Sequence, residues 1–300
     1  MIQKYPRDMV GYGQKTPKVK WPNNAKLALQ IVLNYEEGSE NCVLHGDRTS
    51  EVFLSEIIGA QPVKGRHINM ESLYEYGSRR GFWRIHKLFQ EKKIPITIFG
   101  VGMALEKNLE ICQAIKESDY EVASHGWRWI DYQKVSRSTE KKHMQMAIKS
   151  IEKIFGKRPL GWYTGRCSPN TRDLVMEEGG FLYDSDSYSD DLPYWEVRGK
   201  KKQLIIPYTL DNNDMRFATN QGFNSGEQFY TYLKDSFDAL YNEDSPPKMM
   251  SVGLHCRIIG RPGRIQSLKK FLDYVLKHRD VWICKRIDIA KHWIKNYSIK

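Results

Sequence analysis

No stretch of this sequence approaches the roughly 18 consecutive apolar residues that a membrane-spanning helix needs. The opening residues, Met-Ile-Gln-Lys-Tyr-Pro-Arg-Asp, hold no apolar segment of the secretory type. Cysteine is scarce: five in 300 residues, an odd number, with no Cys-x-x-Cys pair. That argues against a disulfide framework and against a thiolate zinc site. A soluble, cytoplasmic protein of a reducing compartment is the expectation. Long runs of one charge are also missing. The formal net charge is +11, yet the lysines come in small groups such as Lys92-Lys93, Lys141-Lys142 and Lys200 to Lys202. Without an RNA-binding or zinc-finger signature, such charge reads as solvated helix faces, and neither nucleic acid nor a membrane is expected as a partner. No internal repeat or linker divides the chain, so residues 1–300 are read as one domain with an irregular arm over 1–26.

What the sequence does contain is organised around Leu27-Ala-Leu-Gln-Ile-Val-Leu-Asn-Tyr-Glu-Glu-Gly38. Its first seven residues are nearly all apolar, as in a strand buried on both faces of a parallel sheet. The strand stops at two adjacent carboxylates. Successive strand residues point to opposite faces, so only one of Glu36 and Glu37 continues into a pocket. About seven further strand candidates follow, most alternating with helices. The second is Ile96–Val101, the sixth Leu204–Leu210, and the seventh Met249–Leu254. A helical pattern spans Ser72 to Lys93, interrupted near Gly77 and Gly81. A long connection, Ser39 to Arg66, precedes it, of the kind that usually carries function or meets a neighbour. This alternation predicts a parallel sheet closed into a (β/α) barrel, with a doubly wound open sheet as the other solution. In barrels the active site lies at the carboxyl ends of the strands. Those ends here carry Glu36 and Glu37, His125, Arg166, Asp186, Asp211 and His255, which together describe a pocket.

At these residues a resemblance appears. Asn34-Tyr-Glu-Glu-Gly38, Ser124-His-Gly-Trp-Arg-Trp129, Gly161-Trp-Tyr-Thr-Gly-Arg-Cys-Ser-Pro169, Tyr183-Asp-Ser-Asp186 and Gly253-Leu-His255 resemble, in order, the motifs of the polysaccharide deacetylase (NodB-homology) superfamily. The resemblance implies a distorted (β/α) barrel of about seven to eight parallel strands. In that superfamily two adjacent aspartates supply a general base and a metal ligand, and a His-x-x-x-His completes the metal site. Here the aspartates are Glu36 and Glu37, and the second histidine position is Trp129, whose indole has no lone pair for a metal. Those departures, with Val10-Gly-Tyr-Gly13, His45-Gly-Asp47 and His255-Cys-Arg257 to Gly260-Arg-Pro-Gly-Arg264, resemble one branch more closely, the metal-independent allantoinases of purine catabolism.

The resemblance implies hydrolytic opening of the hydantoin ring of allantoin to allantoate, with no metal and no cofactor. It further implies a small-molecule substrate and a homo-oligomer, a tetramer in that branch, with Ser39 to Arg66 as a candidate contact. Glu36 matches the general base; the other reading makes it a structural partner of Arg166. His255 matches the general acid, against a histidine that is simply buried and bonded. Arg166 either holds the catalytic carboxylate or binds a substrate carbonyl. Asp186 either tunes the histidine or caps a loop. Glu37, His125, Trp129 and Arg257 are assigned to substrate binding; for Glu37 the alternatives are pairing with His125 or acting in the chemistry itself, and for His125 a structural role. Two other classes stay open at this point. One is a metal-dependent deacetylase of N-acetyl sugar polymers or another cyclic imide hydrolase; the other is a binding protein on the same scaffold.

Overall fold

A computed structural model describes residues 5–118, 120–243 and 246–299. Nine strands form one sheet: β1 (Leu27–Tyr35), β2 (Thr97–Gly100), β3 (Glu121–Ser124), β4 (Gly161–Trp162), β5 (Tyr183–Asp184), β6 (Tyr194–Arg198), β7 (Lys201–Ile205), β8 (Lys248–His255) and β9 (Val281–Cys284). The order across the sheet is β6-β7-β5-β4-β3-β2-β1-β8, and β9 pairs with the first half of β1. Every pairing is parallel except that of β6 with β7. The sheet curls into a half-barrel that stops short of closing. Edge strand β8 meets the segment after β7 through one isolated bridge, Asn213 to Gly253. Pro207, in that segment, has no N–H to offer a ladder, and β7 ends at Ile205 rather than running to Leu210 as expected.

Among the described residues ten α-helices accompany the strands: α1 (Ile68–Tyr76), α2 (Phe82–Lys92), α3 (Gly102–Lys107), α4 (Leu109–Glu117), α5 (Arg137–Phe155), α6 (Thr171–Glu178), α7 (Gly226–Asn242), α8 (Cys256–Ile259), α9 (Pro262–Val275) and α10 (Arg286–Asn296). Of the expected arm over 1–26, residues 1–4 lie outside the described residues; the rest is turns and one short 3-10 turn, Pro22–Asn24. No described helix is long and apolar enough to cross a membrane. The five cysteines are all free.

The two-residue period of β1 sets up everything above it. Leu27, Leu29, Ile31, Leu33 and Tyr35 face the outer helical layer and join the larger apolar cluster with Phe82, Ile85 and Phe89 of α2. Each is fully buried, which contributes about 1.5–3 kcal/mol per side chain. Ala28 and Val32 face the concave interior, with Tyr163 and Tyr208. Gln30 lies on that side too, and its Oε1 accepts a hydrogen bond from Arg286 at 2.9 Å, part of a polar plug that also takes in Ser185 and Ser251. Continued past Tyr35, the alternation sends Glu36 inward and Glu37 outward.

Helices α1 and α2 are joined by a π-helical turn, Gly77–Gly81, at the place where the apolar pattern breaks. The two glycines explain why the backbone comes so near. A Cβ at Gly77 would overlap the Glu37 carboxylate, and one at Gly81 would overlap the carbonyl of Cys256. An extra residue in the turn, a common device near functional sites, thus fits the helical layer against the ends of β1 and β8.

Candidate active site

Beyond the ends of β1, β3 and β8, four ionisable side chains converge with almost no solvent contact. Glu36 Oε2 accepts from Arg257 Nη1 at 2.8 Å. Its other oxygen lies 3.3 Å from His125 Nε2 and 3.5 Å from His255 Nε2. Burial alone would push the Glu36 carboxyl up. Arg257, His255 and His125 overcome that and hold it well below the usual carboxylate range. The group is therefore ionised at any physiological pH.

His255 is held from behind. Its Nδ1 lies 2.6 Å from Asp214 Oδ1, and Asp214 Oδ2 accepts the backbone N–H groups of His255 and Ile259 at 2.8 and 3.0 Å. A carboxylate so placed fixes the proton on Nδ1 and turns Nε2 toward Glu36. Burial would lower the imidazole's pKa; Glu36 and Asp214 reverse this and raise it to about 9. At neutral pH the site thus holds an imidazolium against a carboxylate, with a second carboxylate behind it.

These groups open onto a cavity of about 610 Å³, whose wall includes Glu36, His125, Trp129, Arg166 and His255. Part of the long 39–66 connection folds over it: Val52, Phe53 and Leu54 line the same cavity. Phe53 stacks on Trp129 with ring centres 5.8 Å apart. Arg166 sits over both rings and pairs with Glu51 at 3.2 Å.

Several expectations need correcting. The arginine on the Glu36 carboxylate is Arg257; Arg166 lines the cavity and pairs with Glu51. Arg257, expected to bind substrate, is fully buried and off the cavity wall, stacked on Tyr74 and Trp129, with Nε donating to the Leu54 carbonyl. Glu37 also points away from the cavity. It accepts from the backbone N–H groups of Glu36 and Arg257, at 3.0 and 3.2 Å, and lies against Gly77. Burial raises its pKa to about 7, opposed by Arg257 and reinforced by Glu36. Asp186 caps a loop, taking the N–H groups of Thr164 and Gly165 at 2.9 and 2.7 Å. The acid on the histidine is Asp214, the last residue of the run Asp211-Asn212-Asn213-Asp214, in which nothing in the sequence sets it apart. Asp211 itself bonds the Tyr232 hydroxyl on the surface. His125 and Trp129 do reach the cavity as expected.

The donor set does not fit a divalent ion. Trp129 brings no lone pair, and among the described residues no group of three His, Cys, Asp or Glu side chains is disposed to hold a metal. The Arg257 guanidinium already stands 2.8 Å from Glu36 and 3.6 Å from Glu37, where it supplies positive charge to both carboxylates.

Comparison with known proteins agrees with this architecture. The family described as Polysaccharide deacetylase matches residues 67–177. The crystal structure of a "probable polysaccharide deacetylase" from Pseudomonas aeruginosa PAO1 shares 56% identity over 99% of this chain and 100% of its own, with a TM-score of 0.97. The crystal structure of PuuE allantoinase shares 54% identity over the same proportions, also with a TM-score of 0.97. A Schizosaccharomyces pombe protein that bears the polysaccharide deacetylase name is 42% identical over 98% of both chains. A chain alike from end to end in sequence and in fold is a member of the group, and this protein belongs to the polysaccharide deacetylase (NodB-type) family, as one of its hydrolases.

Proposed function

We propose that the protein hydrolyses a cyclic amide, opening the hydantoin ring of allantoin to allantoate in purine catabolism, with Arg257 in place of a metal. The observation that carries this reading is the guanidinium fixed on Glu36, together with an indole where a metal ligand would stand. The 54% identity to PuuE allantoinase over nearly the whole chain supports the same substrate.

In this reading water attacks the ring carbonyl carbon and Glu36 accepts its proton. The carbon–nitrogen bond breaks as His255 Nε2 gives its proton to the departing ring nitrogen. One new carboxylate and one ureido NH₂ result. A carboxylate held so far below its usual pKa is a weak base at rest. As His255 releases its proton one of the two positive charges beside Glu36 is lost while Arg257 remains, and Glu36 holds the captured proton more firmly until it is returned. Asp214 holds the imidazole in the productive tautomer, and the 3.5 Å separation of Glu36 and His255 lets the captured proton return to His255 after turnover. Trp129 and Phe53 provide flat apolar walls, and Arg166 offers N–H donors to a substrate carbonyl.

Five unpaired cysteines suit the cytoplasm. Leu44, Ile58 and Val63, exposed on the 39–66 connection, suit a contact in a homo-oligomer. The deciding experiment is turnover of allantoin by protein of measured metal content, with and without excess EDTA. Equal rates are expected. Loss of activity in chelator would end the metal-free mechanism, and no turnover of allantoin would end the substrate assignment.

A further inference from the structure

Among the polar side chains on the cavity wall that take no part in the steps above are Asn34 and Tyr208. Asn34 is the inward residue of β1 immediately before Glu36, and the two side chains are only 1% and 5% exposed. The Asn34 amide has one orientation open to it. Its Nδ2 donates to the Leu254 carbonyl at 3.0 Å and to the Tyr208 hydroxyl at 2.9 Å. Flipping the amide would set oxygen against carbonyl oxygen, two acceptors face to face. Oδ1 is therefore the free end; it is buried, and no described residue donates to it. Tyr208, having accepted from Asn34, keeps its own proton for an acceptor other than Asn34.

We propose that Asn34 and Tyr208 together bind the N–H/C=O edge of a ring amide, Oδ1 accepting the N–H and the hydroxyl donating to the C=O. This deepens the cyclic-amide reading and rests on it. In a small ring the amide is forced cis, so its N–H and C=O lie on one edge. An open-chain secondary amide, such as an acetamido sugar, is trans and shows them on opposite edges. One acceptor and one donor side by side match the first arrangement and not the second. The pair therefore selects ring amides over the N-acetyl groups that the family name brings to mind. Leaving a buried acceptor unmatched is costly, so a ligand lacking the N–H is rejected as well.

Binding without turnover is measured by calorimetry on Glu36→Gln protein, with hydantoin, 1-methylhydantoin and 3-methylhydantoin as probes. Adding Tyr208→Phe or Asn34→Leu is expected to weaken hydantoin binding about tenfold each. For one of the two methyl derivatives, the loss seen in the parent should vanish in the Asn34→Leu protein, because its partner is already gone. Hydantoin binding within twofold of the parent in the Tyr208→Phe protein overturns the proposal, as does a methylation penalty that persists for both derivatives in Asn34→Leu. Should Asn34→Leu fail to fold, Tyr208→Phe, which removes a single oxygen, decides alone. Hydantoin bound with these losses, while the native enzyme never opens allantoin or hydantoin, removes the ring-opening reading and leaves the edge pair standing. Hydantoin opened, with neither substitution affecting binding, does the reverse.

Discussion

Glu36 and Glu37 are neighbours in the chain with opposite fates, and the site turns on that difference. Glu36 faces the cavity between two imidazoles and a guanidinium; Glu37 lies behind it and is pushed to about 7. Replacing Glu36 with glutamine is expected to lower kcat by about 10²–10⁴, the usual worth of a positioned general base, while the melting curve stays cooperative. A kcat within threefold of the native enzyme would remove Glu36 from the chemistry. That a single one of the two acids faces the cavity was legible, since strand parity says that only one can point inward. Its partners were not. Asp214 meets His255 across 41 residues of chain, and nothing in a run of four similar polar residues marks the last as the buried one. Arg257 entered only through the motif His255-Cys-Arg257 that carries the resemblance. Only the short helix α8, which turns it under Trp129, places it on the carboxylate.

At the scale of elements, the joint between α1 and α2 makes the sharpest prediction. Alanine in place of glycine in a helix ordinarily gains about 1 kcal/mol. At Gly81 the added methyl meets the backbone carbonyl of Cys256, which cannot swing aside as a side chain can. Gly81→Ala is therefore expected to destabilise by about 1–3 kcal/mol, as overpacking does. Gly263, in α9, has open space around its Cβ position, and Gly263→Ala should be neutral or stabilising. Chemical denaturation of both reads the contrast; equal effects would show that the joint has slack. Strand β1 and its alternation were plain in the sequence, as was the break near Gly77 and Gly81. Strand β6 was not: Tyr194–Arg198 has only half-buried and exposed residues, and its pairing with β7 depends on the turn at Gly199. The open side of the barrel was equally hidden, because one proline after β7 decides it.

For the molecule as a whole, the buried titrating groups set how stability follows pH. Glu37 and Asp184 are both raised to about 7, so the folded state keeps protons there that the unfolded chain has released. Stability falls as pH climbs from about 4.5 to 7 on their account. His255, raised to about 9, contributes fully below its unfolded value of about 6.5 and loses that contribution as pH rises through 9. Glu36 acts oppositely, its contribution lost only as pH falls below the ordinary carboxylate range. The melting temperature should therefore be highest near about pH 5 and decline toward 9. Net positive charge works against this trend by self-repulsion at acid pH, so high salt, which screens the surface and not the buried groups, should steepen the decline. A melting temperature that rises steadily from pH 5 to 9 in high salt would contradict it. The guanidinium on Glu36 carries a different kind of consequence. A charge built into the polypeptide is made in fixed stoichiometry with the enzyme. It needs no loading step, cannot be displaced by a stronger-binding ion, and does not follow the supply of trace elements in the cell.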